Sequence, residues 1–184
     1  TTINAMATLA MTGSGALNSL GTVLDNGIFN LTGVSSFLNL FSIGDLSGSG
    51  TVTLGATNLI VNSSLVGSTF SGSMTGSGTL IKQGTGTLTL SGANTTGNTI
   101  VNAGTLTVTG SLATGDLSLG SSNSIFNSSA VASQSVTDLI GEVGSQVNFG
   151  ANTFTVQPTT TDIYSGTFVG TGTLTLNGAG TPQI

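Results

Sequence analysis

Hydrophobic and polar residues alternate with a period of two through most of this chain, in short runs separated by glycine-rich turns. The most regular stretch is 76–108, GSGTLIKQGTGTLTLSGANTTGNTIVNAGTLTV. In Thr87-Leu88-Thr89-Leu90 the leucines share one side and the threonines the other, the pattern of a half-buried strand. Thr51-Val52-Thr53-Leu54, Thr105-Leu106-Thr107-Val108-Thr109 and Thr173-Leu174-Thr175-Leu176 read the same way, as do Asn58-Leu59-Ile60-Val61-Asn62, Gln146-Val147-Asn148-Phe149 and Thr153-Phe154-Thr155-Val156. β-Branched threonine outside favours an extended backbone, and Leu, Val or Phe inside supplies burial. Helix formers such as Lys, Glu and Arg are scarce, and the only helical feature expected is a short turn over residues 35–40. Glycine groups such as Gly76-Ser77-Gly78, Gly84-Thr85-Gly86 and Gly170-Thr171-Gly172 fall between the strands, where corners form. The pattern predicts a chain coiled from many short strands, with no linker dividing it.

A longer repeat underlies the strands. At a shift of 97, Thr2, Ile3, Thr8 and Leu9 meet Thr99, Ile100, Thr105 and Leu106, and Ile28, Phe29 and Asn30 meet Ile125, Phe126 and Asn127. Ile43 meets Ile140. Further on the shift drops to 95 (Val52 with Val147, Val61 with Val156) and then to 94 (Phe70 with Tyr164, Leu80 with Leu174). The chain thus reads as one continuous solenoid of two copies, 1–97 and a truncated 98–184, with Ile184 set against Leu90. Phe29 and Phe126, and Leu54 and Phe149, are expected at equivalent depths one repeat apart. Neither end reads as the polar cap that a solenoid ending in water needs, so the chain is expected to be a mature or excised segment, or to stack end to end.

The run Gly78-Thr79-Leu80, Gly84-Thr85-Gly86-Thr87-Leu88-Thr89-Leu90-Ser91-Gly92-Ala93-Asn94 and Val101-Asn102-Ala103-Gly104-Thr105-Leu106 closely resembles the passenger-associated β-strand repeat of bacterial autotransporters. The segments LGATNLIV and FGANTFTV look like less regular strands of the same family. The resemblance implies an all-β fold, a right-handed single-stranded parallel β-helix. It also implies export across an outer membrane to the outside or surface of a Gram-negative cell, and a role among adhesins and other large surface proteins. At ~23 residues per turn such a coil has about eight rungs, and at ~4.8 Å per rung it is roughly 40 Å long.

Charge narrows the function classes. Lys82 is the only cation, against Asp25, Asp45, Asp116, Asp138, Glu142 and Asp162, and the net charge is −5. Nucleic-acid partners and anionic membrane surfaces require clustered Lys and Arg, so neither is expected as a partner. No run approaches the length of a membrane helix. There is no Cys or His, which removes thiolate, disulfide, zinc and histidine acid–base chemistry.

No catalytic, cofactor-binding or metal-binding residue is expected. Glycoside hydrolysis needs two carboxylates within ~5–10 Å of each other. Asp138 and Glu142 are close in sequence, and Asp45 is the repeat partner of Glu142, but all three read as solvated turn residues. Lys82 reads as an exposed, solubilising strand residue. The sequons at Asn30, Asn62, Asn94 and Asn127 are expected to be idle. The T-x-T arrays Thr85/Thr87/Thr89, Thr105/Thr107/Thr109 and Thr171/Thr173/Thr175 could offer threonine rows of the ice-binding kind, but their unequal spacing argues against one flat face. The expected function is therefore structural and not enzymatic: a segment of a surface adhesin or stalk, or a subunit of a head-to-tail filament. A carbohydrate-binding or carbohydrate-cleaving β-helix is the alternative, although the phenylalanines fall mostly at inward positions.

Overall fold

The computed structural model describes residues 1–64, 67–161, 163–181 and 183; Asp162 and Ile184 lie outside the described residues. Among the described residues 24 short strands wind into a parallel β-solenoid of about nine turns, close to the eight rungs expected. The alternation read from sequence is the burial pattern observed: Thr51–Gly55, Asn58–Asn62 and Gln146–Gly150 each bury every second residue.

The strands stack into three faces. Face 1 begins with Thr2–Ile3, Val23–Asp25 and Leu46–Ser47 and continues, through a Gly48–Phe70 bridge, from Ser68–Phe70 to Thr167–Gly170. Face 2 runs from Thr8–Gly13 to Ser111–Ala113 and resumes at Ser133–Val136, Thr153–Val156 and Thr173–Leu176. Face 3 runs from Leu40–Ile43 to Leu139–Gly141, with a further bridge between Gly141 and Tyr164. Turns are not of equal length. Thr87 pairs with Thr105 and Thr99 with Leu117, 18 residues on, whereas Val23 pairs with Leu46 and Ile28 with Thr51, 23 residues on.

Like stacks on like in the interior. Face 1 carries the column Leu88, Leu106, Phe126, Val147, Phe168. Face 3 carries Phe41, Leu59, Leu80, Thr99, Leu117, Leu139. Each fully buried aliphatic or aromatic side chain contributes roughly 1.5–3 kcal/mol. The aromatic rings concentrate toward the C-terminal turns, where Phe149 and Phe154 stack at 6.2 Å and Tyr164 lies 4.7 Å from Phe168.

One corner depends on glycine. Gly50, Gly72, Gly92 and Gly110 stack between faces 1 and 2, and a Cβ on any of them would strike a backbone carbonyl of the turn below. At that corner the chain packs backbone against backbone.

One expectation is corrected and another is refined. Residues 35–40 form a β-turn, not a helical one: Asn39 N–H donates to Ser36 O at 3.0 Å, and Asn39 has φ of 50°. Ser36 Oγ closes the turn by accepting from Leu40 N–H at 2.8 Å. The paired residues of the repeat are buried to similar depths, Phe29, Phe126 and Leu54 fully and Phe149 at 5% exposure, but they lie on different faces. Ile28–Val34, with Phe29, lies on face 2, and Ser124–Asn127, with Phe126, on face 1. Leu54 is likewise on face 2 and Phe149 on face 1. The copies are rotated by one face, except at Ile43 and Ile140, which share face 3. Strands on all three faces bury every second residue, so a repeat need not span whole turns.

Two substitutions separate these contributions. Leu88→Ala, at a fully buried position, is expected to cost about 2–5 kcal/mol in urea unfolding, whereas Thr107→Ala on the outward side of face 1 costs less than ~1 kcal/mol. Gly92→Ala is expected to destabilise through its clash with the Gly72 carbonyl, although alanine elsewhere replaces glycine favourably.

Candidate functional site

The sole cation lies inside the coil. Lys82 is fully buried and occupies the inward column Ile43, Val61, Lys82, Val101, Leu119 on face 3. The expected exposed position is thus overturned. Alternation along Leu80-Ile81-Lys82 places Lys82 on the same side as Leu80, a signal present in the sequence that its charge obscured. The ammonium bends toward the corner and donates to the carbonyls of Gln83, Gly84 and Ala103 at 2.9, 2.8 and 3.1 Å. Burial lowers its pKa from 10.5 to about 8, with the Asp45 carboxylate opposing that shift. Near neutral pH the group is a charge held by backbone dipoles.

Three of the carboxylates are buried. Asp45 is 4% exposed and Asp138 9% exposed, so both depart from the solvated turn position expected of them; Glu142 is exposed as expected. Asp138 accepts hydrogen bonds from Thr159 N–H and Thr159 Oγ1 at 2.7 and 3.0 Å, tying a corner to the turn above. Asp25 is fully buried. Desolvation raises its pKa, partly offset by the N–H of Gly27. No group of three or more His, Cys, Asp or Glu side chains able to hold a metal occurs among the described residues. The sequon asparagines are engaged locally. Asn30 Oδ1 accepts from Thr32 and Asn127 Oδ1 from Ser129, Asn62 donates to Ser42 Oγ and Ile43 O, and Asn94 is buried.

Two inward amides on face 2 take the place of apolar residues, a feature missed in the sequence although the alternation places both inward. Asn94 Oδ1 accepts from Met74 N–H at 3.1 Å, and its Nδ2 donates to Gly92 O at 3.0 Å. Gln134 Nε2 donates to Leu112 O and Ser135 O, both at 2.9 Å. Gln134 spans the place where the face 2 sheet is interrupted, between Ser111–Ala113 and Ser133–Val136. A cleft of about 370 Å³ opens there, lined by Leu112, Val131, Gln134 and neighbouring hydroxyl side chains.

The outer faces differ from one another. On face 1, Thr87 and Thr89 lie over Thr105 and Thr107 in register, followed by Ile125 and Asn127. Face 3 shows an outward, half-buried column of Ile60, Ile81 and Ile100. On face 2 the outward positions begin with Thr8/Ala10 and Ile28/Asn30 and continue as Thr51/Thr53, Ser73/Thr75, Ala93/Thr95, Ser111/Ala113, Ser133/Ser135, Thr153/Thr155 and Thr173/Thr175. The T-x-T arrays of the sequence therefore divide between two faces, and a longer hydroxyl-rich surface emerges on face 2. Most phenylalanines point inward as expected, but Phe37 is fully exposed.

The regular turns also coincide with a known family. Residues 80–108 match the passenger-associated-transport-repeat model. This match and the β-solenoid fit an autotransporter passenger repeat domain, a family that implies an extracellular or surface location. No curated protein and no solved structure matches the chain. No helix among the described residues is long and apolar enough to cross a membrane.

Lys82 gives a pH signature. Between about pH 8 and 10.5 the unfolded chain binds a proton at Lys82 that the folded chain has lost, so stability rises with pH across that window. Below about pH 8 both states are charged and the burial penalty is fully present. The stability of the wild type relative to Lys82→Met should therefore increase by on the order of 3 kcal/mol from pH 7 to pH 11, read by urea unfolding of both proteins.

Proposed function

We propose that this chain is a structural segment of an exported surface protein: a stalk or adhesin body whose β-solenoid holds other parts away from the cell, and not an enzyme. The observation that carries this reading is the passenger-associated-transport-repeat at residues 80–108, set within about nine stacked turns. A rod of this construction is extended simply by adding turns. Its ladder groups pair with the turn above and the turn below, and its formal charge of −5 spread over 184 residues offers little repulsion between neighbouring segments. We propose accordingly that it either continues into further turns of the same kind or associates end to end with a second copy. Most phenylalanines are buried and form no exposed aromatic platform for a sugar, which favours the scaffold over the carbohydrate reading.

Two measurements test this. Intact cells expressing the full-length gene product should lose the epitope of this segment to external protease while cytoplasmic markers survive; an epitope protected until lysis contradicts surface display. Electron microscopy of the purified chain should show rods longer than the roughly 40 Å of one copy; uniformly single, unassociated particles contradict end-to-end association.

A further inference from the structure

Face 2 differs from the other two faces in being chemically uniform over most of its height, above Ile28–Val34, where Ile28 and Asn30 stand in the outward columns. From Thr51 to Thr175 its outward positions are threonine, serine or alanine, without a charge or an aromatic ring. They form two columns, because each strand exposes two residues separated by one inward residue. Thr153/Thr155 and Thr173/Thr175 are in strict register, as are Thr51/Thr53 and Ser73/Thr75. The resulting grid repeats at roughly 6.6 Å along a strand and ~4.8 Å between turns. The cleft at Gln134 divides it into two blocks, each internally in register.

Such a grid is poorly suited to a protein partner. It lacks the Trp, Tyr and Arg side chains that anchor protein interfaces, and it is neutral, so it cannot steer a charged ligand. Its distinctive property is two-dimensional periodicity. Threonine is restricted at χ1, so each row presents hydroxyls and methyls in fixed positions on a ladder-stabilised sheet. A single hydroxyl gains little by leaving liquid water for another hydrogen-bonding surface. Many pre-positioned hydroxyls and methyls gain together only against a partner that is itself periodic, neutral and hydrogen-bonding at the same few-ångström scale. Crystalline water has those properties.

We propose that face 2 is an adsorption surface for ice. Hydroxyls of the two columns join the hydrogen-bond network of the crystal surface, and the intervening methyls occupy its hollows. No bond is made or broken beyond hydrogen bonds. The proposal is independent of the passenger reading: a displayed rod without ice activity leaves that reading intact, and an ice-adsorbing chain that is not displayed leaves this one intact.

The test uses the purified chain and ice itself. The wild type should separate melting from freezing temperature, reshape growing ice crystals and be enriched in a slowly grown ice fraction. Thr53→Lys and Thr155→Lys, one in each block of face 2, should lose these effects, while Thr89→Lys on face 1 retains them. Circular dichroism and thermal unfolding of each variant report whether the fold persists, and face 2 Ser135→Thr, which keeps the hydroxyl and adds a methyl, should retain or increase activity. Absence of all three effects in the wild type overturns the proposal. So does equal activity in folded Thr155→Lys, or a solution dimer that Thr155→Lys dissolves in place of any ice adsorption.

Discussion

The parallel ladder between one turn and the next is the constraint on which everything else in this molecule depends. Because Thr87 pairs with Thr105, and Leu88 with Leu106, each side chain has as its nearest neighbours its counterparts above and below. Register therefore decides at once what is buried, what is outside and which outward residues form a surface. A slip of one residue would exchange the leucine and threonine sides of a strand throughout. The glycine stack at Gly50, Gly72, Gly92 and Gly110 serves the same constraint, since it lets backbone rest directly on backbone at a corner where a side chain would force the turns apart.

Within that frame three polar side chains stand in inward columns and are held by backbone groups. Lys82 donates to three carbonyls at a corner, Asn94 accepts a main-chain N–H at a thinly bonded step of face 2, and Gln134 reaches across the interruption to Leu112 O. Each replaces an aliphatic residue in its column, at a cost in hydrophobic burial offset by satisfying groups that would otherwise be stranded. These are the points at which the regular pattern is broken from within.

The strands and their two sides were legible because they depend only on alternation between neighbours, and the repeat at residues 80–108 because its turns are of nearly constant length. The face on which a strand falls was not legible. It depends on how many corners precede it, and turns of 18 to 23 residues allow corners to be gained or lost without disturbing any strand. For that reason Phe29 and Phe126 match in sequence yet lie on different faces, and the hydroxyl columns of face 2 could not be assembled from the T-x-T arrays alone. Lys82 was misplaced for another reason. Its parity with Leu80 pointed inward, but the ordinary cost of burying a charge argued for solvent, and the three carbonyls that lower that cost come partly from Ala103, a turn away.

The interruption of face 2 at Gln134 also has a mechanical meaning. Load along a solenoid is shared among the ladders of its three faces, and a section is as stiff as the bonds that cross it. Between Ser111–Ala113 and Ser133–Val136 the crossing on face 2 is a side-chain amide, with the Thr137 N–H to Gly115 O bond beside it at 2.8 Å. Faces 1 and 3 continue unbroken through the same height. The ladder is thus thinnest on one side of the rod at this height. A load that opens face 2 therefore meets fewer backbone bonds at this height than one that opens either of the other faces.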